Sequence, residues 1–302
     1  MNTRFRVTLA MAAAIWAAGI RANADVPIET FEVGSLHVER YGAQGSPIVL
    51  IPGLACGSWV WRDTIAHFKS HHQIYAITLA GFDGRPARGD ANFEQIVTSL
   101  HELIVSRHLI QPTLIGHSMG GTLGLLYAER HPNALRGVVS VDGLPVFPGT
   151  ENVSAGERAS MADRVRLQLD AGTPEQFAAQ QLAYMRTIGV MSEERAQALA
   201  KLSSRSDPHA TANYATADMQ LDLRSALQDI KVPVLEIVPY QAAEQAALGL
   251  DETGKLAYYR SLLSGVARLT IVPISPSRHF VMVDQFQALM KTLDGFLDKS
   301  GT

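Results

Sequence analysis

Cysteine is almost missing from this chain: Cys56 stands alone among 302 residues. That excludes an intramolecular disulfide framework and a cysteine-rich metal site. A surplus of basic charge is missing too. Lysine and arginine number 26 against 29 acidic residues, a formal net charge of −3. Proteins that track nucleic-acid phosphates normally carry a clear basic excess, so no nucleic acid is expected as a partner. No glycine-rich dinucleotide fingerprint, P-loop or H-E-x-x-H pair occurs, and none of these absences leaves a cofactor or metal implied. There is no internal repeat. What the chain does have is 47% hydrophobic against 18% charged residues, enough apolar material for a packed interior.

The N-terminus has to be set aside before the fold is read. Arg4 and Arg6 make a basic start, Val7 to Ile20 runs without a charge, and Ala22-Asn23-Ala24 supplies an A-x-A cleavage signal. This three-part pattern predicts a secretory signal peptide over residues 1–24. The apolar run is short for a membrane span, which disfavours the alternative of an uncleaved anchor helix. No cysteine follows the run, so a lipoprotein anchor is excluded. Cleavage after Ala24 removes Arg4, Arg6 and Arg21 and no acid, taking the net charge from −3 to −6. The expectation is a periplasmic or secreted protein with no stable membrane anchor after cleavage. With a single cysteine, its folding would not depend on oxidation there.

Beyond the leader, short apolar runs alternate with helical patterns. Strands are expected at Ile28 to Val33 and Leu36 to Tyr41 around a Gly34-Ser35 turn, then at Pro47 to Ile51, Gln73 to Leu79, Pro112 to Ile115 and Arg136 to Val141. Helices are expected at Trp59 to Lys69, at Asn92 to His108 with Asn92 and Gln95 as a capping box, and at Met119 to Arg130. From about Phe147 to Leu227 no strand pattern appears; the stretch reads as several helices. The rhythm resumes with strands at Val232 to Val238 and Arg268 to Val272 and helices near Asp251 to Leu263 and at Asp284 to Leu297. Such β-α alternation predicts an α/β fold with a mostly parallel central sheet flanked by helices. The helical stretch, inserted after the sixth strand, predicts a cap over the strand ends, where such sheets bind ligands. The expected division is a core of residues 25–146 and 228–302 and a helical cap of residues 147–227.

Gly116-His117-Ser118-Met119-Gly120 is a G-x-S-x-G motif placed between an expected strand and an expected helix. A sharp strand-to-helix turn holds its central residue in strained backbone geometry and needs small neighbours on both sides. Gly116 and Gly120 supply them. The helix N-terminus lends positive potential to an oxyanion forming beside Ser118. A serine hydroxyl needs an adjacent base. Among ten histidines, His279 stands out, in a Pro/Ser-rich loop directly after a strand at the same sheet end. His117, beside the nucleophile, is expected to point away and pack.

These segments resemble the α/β-hydrolase superfamily over nearly the whole mature chain. GHSMGG at 116–121 is similar to its nucleophile elbow, VLIPGLACGSWVW at 49–61 to its oxyanion loop, and SRHF at 277–280 to its catalytic histidine segment. The resemblance implies the α/β-hydrolase fold, Ser118 as nucleophile, His279 as base, and an oxyanion hole from the N–H groups of Leu54 and Met119. A serine at 118 speaks against dehalogenase chemistry, which uses a carboxylate there. The family's usual acid position, after the strand leading out of the cap, falls on Ala242. Some members place the acid after the preceding strand, where this chain has Asp142. Its role there would be to fix the imidazole tautomer and stabilise the imidazolium. Glu244, two residues past the vacant position, is the alternative; Glu236, within the strand, is expected to point into the sheet flank.

Cys56 is expected to fill space in the oxyanion loop, because Ser118 already holds the nucleophile position. Of Trp59 and Trp61, one is expected under the loop and the other at the pocket. Arg278 is expected to be solvated. Met161, Met185, Met191, Phe177, Tyr184 and Tyr214 are expected to form the interior of the cap, with any that face the sheet making an apolar pocket. The resulting expectation is an exported serine hydrolase with no cofactor. It would cleave the carboxylic ester, thioester or lactone bond of a small apolar substrate through an acyl-enzyme. An aminopeptidase, a C–C bond hydrolase, an acyltransferase and a non-catalytic ligand-binding protein remain open on the same site, because one fold carries many chemistries.

Overall fold

In the central strands neighbouring apolar side chains point to opposite faces, and both faces are covered. Ile48 and Leu50 join one buried cluster, Val49 and Ile51 the other. Leu114 and Ile115 divide in the same way, as do Val138 and Val139. This period of two, with no polar face, is what a sheet sandwiched between helices demands. The computed structural model describes residues 26–88, 92–170, 172–245 and 249–299. The expected signal peptide lies outside the described residues.

Eight strands form one sheet: β1 Glu29–Val33, β2 Leu36–Tyr41, β3 Pro47–Ile51, β4 Gln73–Leu79, β5 Thr113–His117, β6 Gly137–Val141, β7 Val234–Pro239 and β8 Leu269–Ile274. Their spatial order is β1-β2-β4-β3-β5-β6-β7-β8. The β1/β2 and β2/β4 pairs are antiparallel and the rest are parallel. Around the sheet lie α1 Arg62–Phe68, α2 Phe93–Ser106, α3 Met119–Arg130, then, between β6 and β7, α4 Ala155–Asp170, α5 Pro174–Tyr184, α6 Glu193–Ser203 and α7 Pro208–Gln220. A four-residue helix α8 at Ala242–Gln245, α9 Glu252–Leu262, α10 Val281–Asp284 and α11 Phe286–Lys299 follow. This is the α/β-hydrolase fold, with a helical cap after the sixth strand.

Local chemistry sets several boundaries. Asn92 caps α2 by accepting from Gln95 N at 2.9 Å. Thr173 and Gln176 form a reciprocal capping box at α5. Asp207 accepts from Ala210 N at 2.7 Å with Pro208 starting α7, as helix N-termini favour. The expected helix at Trp59 opens instead as a single tight turn over Ser58–Trp61 before α1. The expected last helix, at Asp284 to Leu297, is α11; the short α10 precedes it, and Gln285, with φ −136°, separates the two. Its side chain donates to Pro276 O at 2.7 Å.

The cap is tied to the core by main-chain bonds. Asp207 N donates to Gly81 O at 2.7 Å, and Leu223 N to Pro145 O at 2.8 Å. Ser206 Oγ donates to Ala55 O at 3.0 Å. At the crossing of β5 and α3 there is no room for a side chain. A Cβ on Gly120 would lie 2.3 Å from Ile51 O and 2.7 Å from Pro52 O, and one on Gly116 would lie 2.0 Å from Gly120 O. These are main-chain obstacles that no rotamer change relieves. Gly120→Ala should therefore cost at least about 1–3 kcal/mol, the usual range for overpacking. A urea midpoint equal to that of the unsubstituted protein would show that the backbone yields there.

Candidate active site

Ser118 sits between β5 and α3 with φ 54° and ψ −126°, a left-handed φ that a side chain with a Cβ adopts only under constraint. The constraint is visible. Ser118 N donates to Val141 O at 2.8 Å, and Ser118 O accepts from Gly121 N and Thr122 N at 2.7 and 3.1 Å. The turn is thus held from β6 on one side and by the first turn of α3 on the other. Met119, the first residue of α3, has no intrahelical acceptor for its N–H.

Asp142, at the tip of β6, also takes a left-handed φ of 56°. Its N–H donates to Ile237 O at 3.0 Å. Thr122 Oγ1 bonds Leu144 O at 2.9 Å and Ser140 Oγ bonds Gly143 O at 2.8 Å, which fastens the turn to α3 and β6. The carboxylate so placed accepts from His279 Nδ1, 2.5 Å from Oδ2, and from the Tyr259 hydroxyl at Oδ1. Burial pushes the Asp142 carboxyl up. The His279 ring, the Lys255 ammonium and the Tyr259 hydroxyl overcome that push and hold it below the usual carboxylate value. Tyr259 is the residue that sequence reasoning missed. It comes from α9, 117 positions from Asp142, and no local pattern points to it.

His279 is supported from two directions. His117, fully buried, has its Nε2 3.1 Å from the His279 carbonyl oxygen. A carbonyl only accepts, so Nε2 carries the proton and donates. Burial, and then the neighbouring His279, push the His117 imidazole well below its ordinary value, so it stays neutral. The rings of His117 and His279 lie 4.5 Å apart between centroids. From the cap, the segment Met185–Gly189 supplies acceptors: His279 N donates to Ile188 O at 3.2 Å and Phe280 N to Gly189 O at 2.9 Å. Arg278 is not the solvated side chain expected. Its guanidinium donates to Arg186 O at 2.6 Å and Val190 O at 2.8 Å and pairs with Glu244.

Glu244 is therefore committed to Arg278, and Asp142 is the carboxylate in contact with the imidazole. Glu236 is fully buried in β7 beside Ser140 of β6. Burial drives its carboxyl far up, so it is neutral. Cys56 and Trp61 are fully buried, and Trp59 packs partly buried against the same cluster. None of the three lines the cavity.

A cavity of about 350 Å³ brings Ser118, Met119, Asp142 and His279 together with Leu144, Val146, Phe147, Ile188, Tyr184, Tyr259 and Asp218. No hydrogen bond joins the Ser118 hydroxyl to the His279 ring in this structure. In ligand-free sites such bonds are often long and tighten when substrate binds. Leu54 lies in the loop after β3, and no backbone carbonyl among the described residues takes its N–H. It is not among the residues lining the cavity. Of the expected cap interior, Phe177, Met185 and Tyr214 are buried, Met161 is partly buried, Met191 is exposed, and Tyr184 faces the cavity. A larger depression of about 500 Å³ lies at the other end of the sheet among Arg136, Lys231 and Arg268 and contains no candidate nucleophile. Among the described residues no group of three or more histidine, cysteine, aspartate or glutamate side chains could hold a metal ion, and no helix is long and apolar enough to cross a membrane.

The chain belongs to the alpha/beta hydrolase fold family, whose sequence model matches residues 46–219. The class that fold and site define is a hydrolase enzyme. It is 27% identical over 213 residues to the pimeloyl-[acyl-carrier protein] methyl ester esterase of Aeromonas hydrophila, covering 67% of this chain and 79% of the relative. Among solved structures it is similar to the enol-lactonase of Burkholderia xenovorans LB400, with a TM-score of 0.71 at 21% identity, over 89% of this chain and 100% of that one. It is also similar to an esterase of Exiguobacterium antarcticum, with a TM-score of 0.72 at 18% identity, over 88% and 98% of the two chains.

Removing the Tyr259 hydroxyl takes a donor from a buried carboxylate. Tyr259→Phe should therefore lower stability at neutral pH by about 1.5–3 kcal/mol, the range for hydrogen bonds to charged groups. A carboxyl held below its ordinary value stabilises the fold above the unfolded value of about 3.9 and loses that contribution as pH falls through the folded one. Urea denaturation of both proteins should show the gap at pH 7 closing in acid; a gap independent of pH would assign the loss to packing.

Proposed function

We propose that this protein is an exported serine hydrolase that cleaves carboxylic ester, thioester or lactone bonds of small molecules through an acyl-enzyme. The observation that carries the reading is the buried Asp142–His279 hydrogen bond at 2.5 Å beside a strained Ser118 in one cavity. In the proposed reaction Ser118 Oγ attacks the scissile carbonyl and its proton passes to His279 Nε2. His279 returns that proton to the leaving alcohol as the acyl-enzyme forms. A water then attacks the acyl group by the same route, releasing the acid and restoring the serine. Asp142 holds Nδ1–H toward itself and so leaves Nε2 free to accept. The N–H groups of Leu54 and Met119 would take the tetrahedral oxyanion, each such donor being worth about 10²–10³ in rate.

The lining of Met119, Leu144, Val146, Phe147 and Ile188 favours an apolar acyl or alcohol group. An esterase among the relatives and a lactonase among the similar structures fit this reaction class, since both names describe cleavage of a carboxylic ester bond. Export rests on the basic start, the uncharged run and the A-x-A signal of residues 1–24.

A fluorophosphonate probe should label the protein, and labelling should vanish in Ser118→Ala; an unlabelled but folded protein would favour a binding role. Asp142→Asn should lower kcat by roughly 10⁴, as loss of a triad carboxylate does, while Glu244→Gln has a far smaller effect. The reverse ranking would move the acid to the loop after β7. Expressed from its full gene in a bacterium with a general export pathway, the protein should be recovered outside the cytoplasm with Asp25 as its first residue. Recovery beginning at Met1 would contradict processing.

A further inference from the structure

Most acids of the cap are engaged. Asp207 caps α7. Asp170 pairs with His209 and Arg166, Asp222 with Arg224 and Arg158, and Glu193 with Arg186. Asp218, on the last turn of α7, is different. It lines the cavity that holds Ser118 and His279, and no hydrogen bond or ion pair to its carboxyl is found among the described residues. Its main-chain carbonyl merely accepts from Leu221 N at 3.3 Å.

The surroundings offer it no cation. No lysine or arginine lines the cavity; the other titratable groups there are Asp142, His279, Tyr184 and Tyr259. Asp142 is already satisfied by His279 and Tyr259. On α4, the helix packed along α7, Arg158 turns to Asp222 at 3.4 Å and to Val153 O at 2.7 Å. Arg166 turns to Asp163 and Asp170. An unpaired carboxyl taken out of water is costly unless something brings it a donor. Asp218 is partly buried, and burial, with no cation to oppose it, raises its carboxyl to about 7, as desolvation of an unpaired acid does.

We propose that Asp218 is a specificity-determining residue that receives a cationic nitrogen of the substrate, while the substrate's scissile carbonyl lies at Ser118. This rests on the hydrolase reading and narrows it to esters carrying an ammonium group at a distance from the carbonyl. The apolar residues between accommodate the connecting methylenes, and the Tyr184 and Phe147 rings add faces toward which a cation is attracted. Anionic substrates meet the Asp218 carboxyl and no lysine or arginine in the lining, and are disfavoured.

The test uses para-nitrophenyl esters of ω-amino acids of graded chain length and their isosteres with a methyl group in place of the ammonium. A second series carries the ammonium on the alcohol side of acetate esters. Assays run at pH 8, where an Asp218 carboxyl at about 7 is mostly ionised. At one chain length in one series the ammonium ester should exceed its isostere in kcat/KM by about tenfold or more, the worth of a charge-assisted bond. Asp218→Asn should erase most of that ratio, and Asp218→Lys should invert it toward an ω-carboxylate ester. A merely structural role for Asp218 would lower both members of a pair together and leave the ratio unchanged. Labelling of Ser118 by the fluorophosphonate probe with no ammonium preference at any length, or a preference that survives Asp218→Asn, overturns the assignment while the hydrolase reading stands. Absence of both labelling and ester turnover overturns the two together.

Discussion

A carboxylate taken out of water loses several kcal/mol of hydration that only well-placed donors replace. Asp142 meets that demand with an imidazole from the loop after β8, a phenol from α9 and the field of Lys255. Those groups enter the sequence more than a hundred residues after it. The rest of the site follows from this charge. The β6 turn must be held in a left-handed conformation to aim it, α9 must lie close enough to bring Tyr259, and the loop bearing His279 must be fixed to within hydrogen-bond reach. Each support is itself tied down, by Thr122 to Leu144 O, by His117 to the His279 carbonyl and by the cap segment Met185–Gly189.

The strain at Ser118 belongs to the same arrangement. Its N–H is bonded to the last residue of β6, Val141, whose neighbour is Asp142. The turn that carries the hydroxyl and the turn that carries the acid are therefore one hydrogen-bonded unit across two adjacent strand ends. Glycines at 116 and 120 are the condition for it, because main-chain atoms occupy the space their side chains would need.

Much of this was legible in the sequence, and the reason is local. Continuous apolar pentads such as Pro47–Ile51 and the spaced glycines around Ser118 encode strands and the elbow within a few residues of themselves. The helix α3 and the strand β4 fall on their expected bounds. Asp142 could be proposed because the resemblance to the α/β-hydrolases implies an acid after one of two strands, and at position 242, the other place, there is no carboxylate. What escaped depends on distant approach. Tyr259 and Asp218 carry no local signal, and Arg278 reads as a solvated cation, because the neighbours of each come from elsewhere in the chain.

The bonds between the cap segment Met185–Gly189 and the histidine loop have a consequence for how a reactant enters. His279 and Phe280 donate their main-chain N–H groups to that segment, and Arg278 grips its carbonyls. Lifting that part of the roof would break the bonds that fix the loop carrying the imidazole. The portion over His279 is thus a fixed lintel, and the opposite wall, formed by Phe147, Pro148 and α7, lacks such bonds to the histidine loop among the described residues.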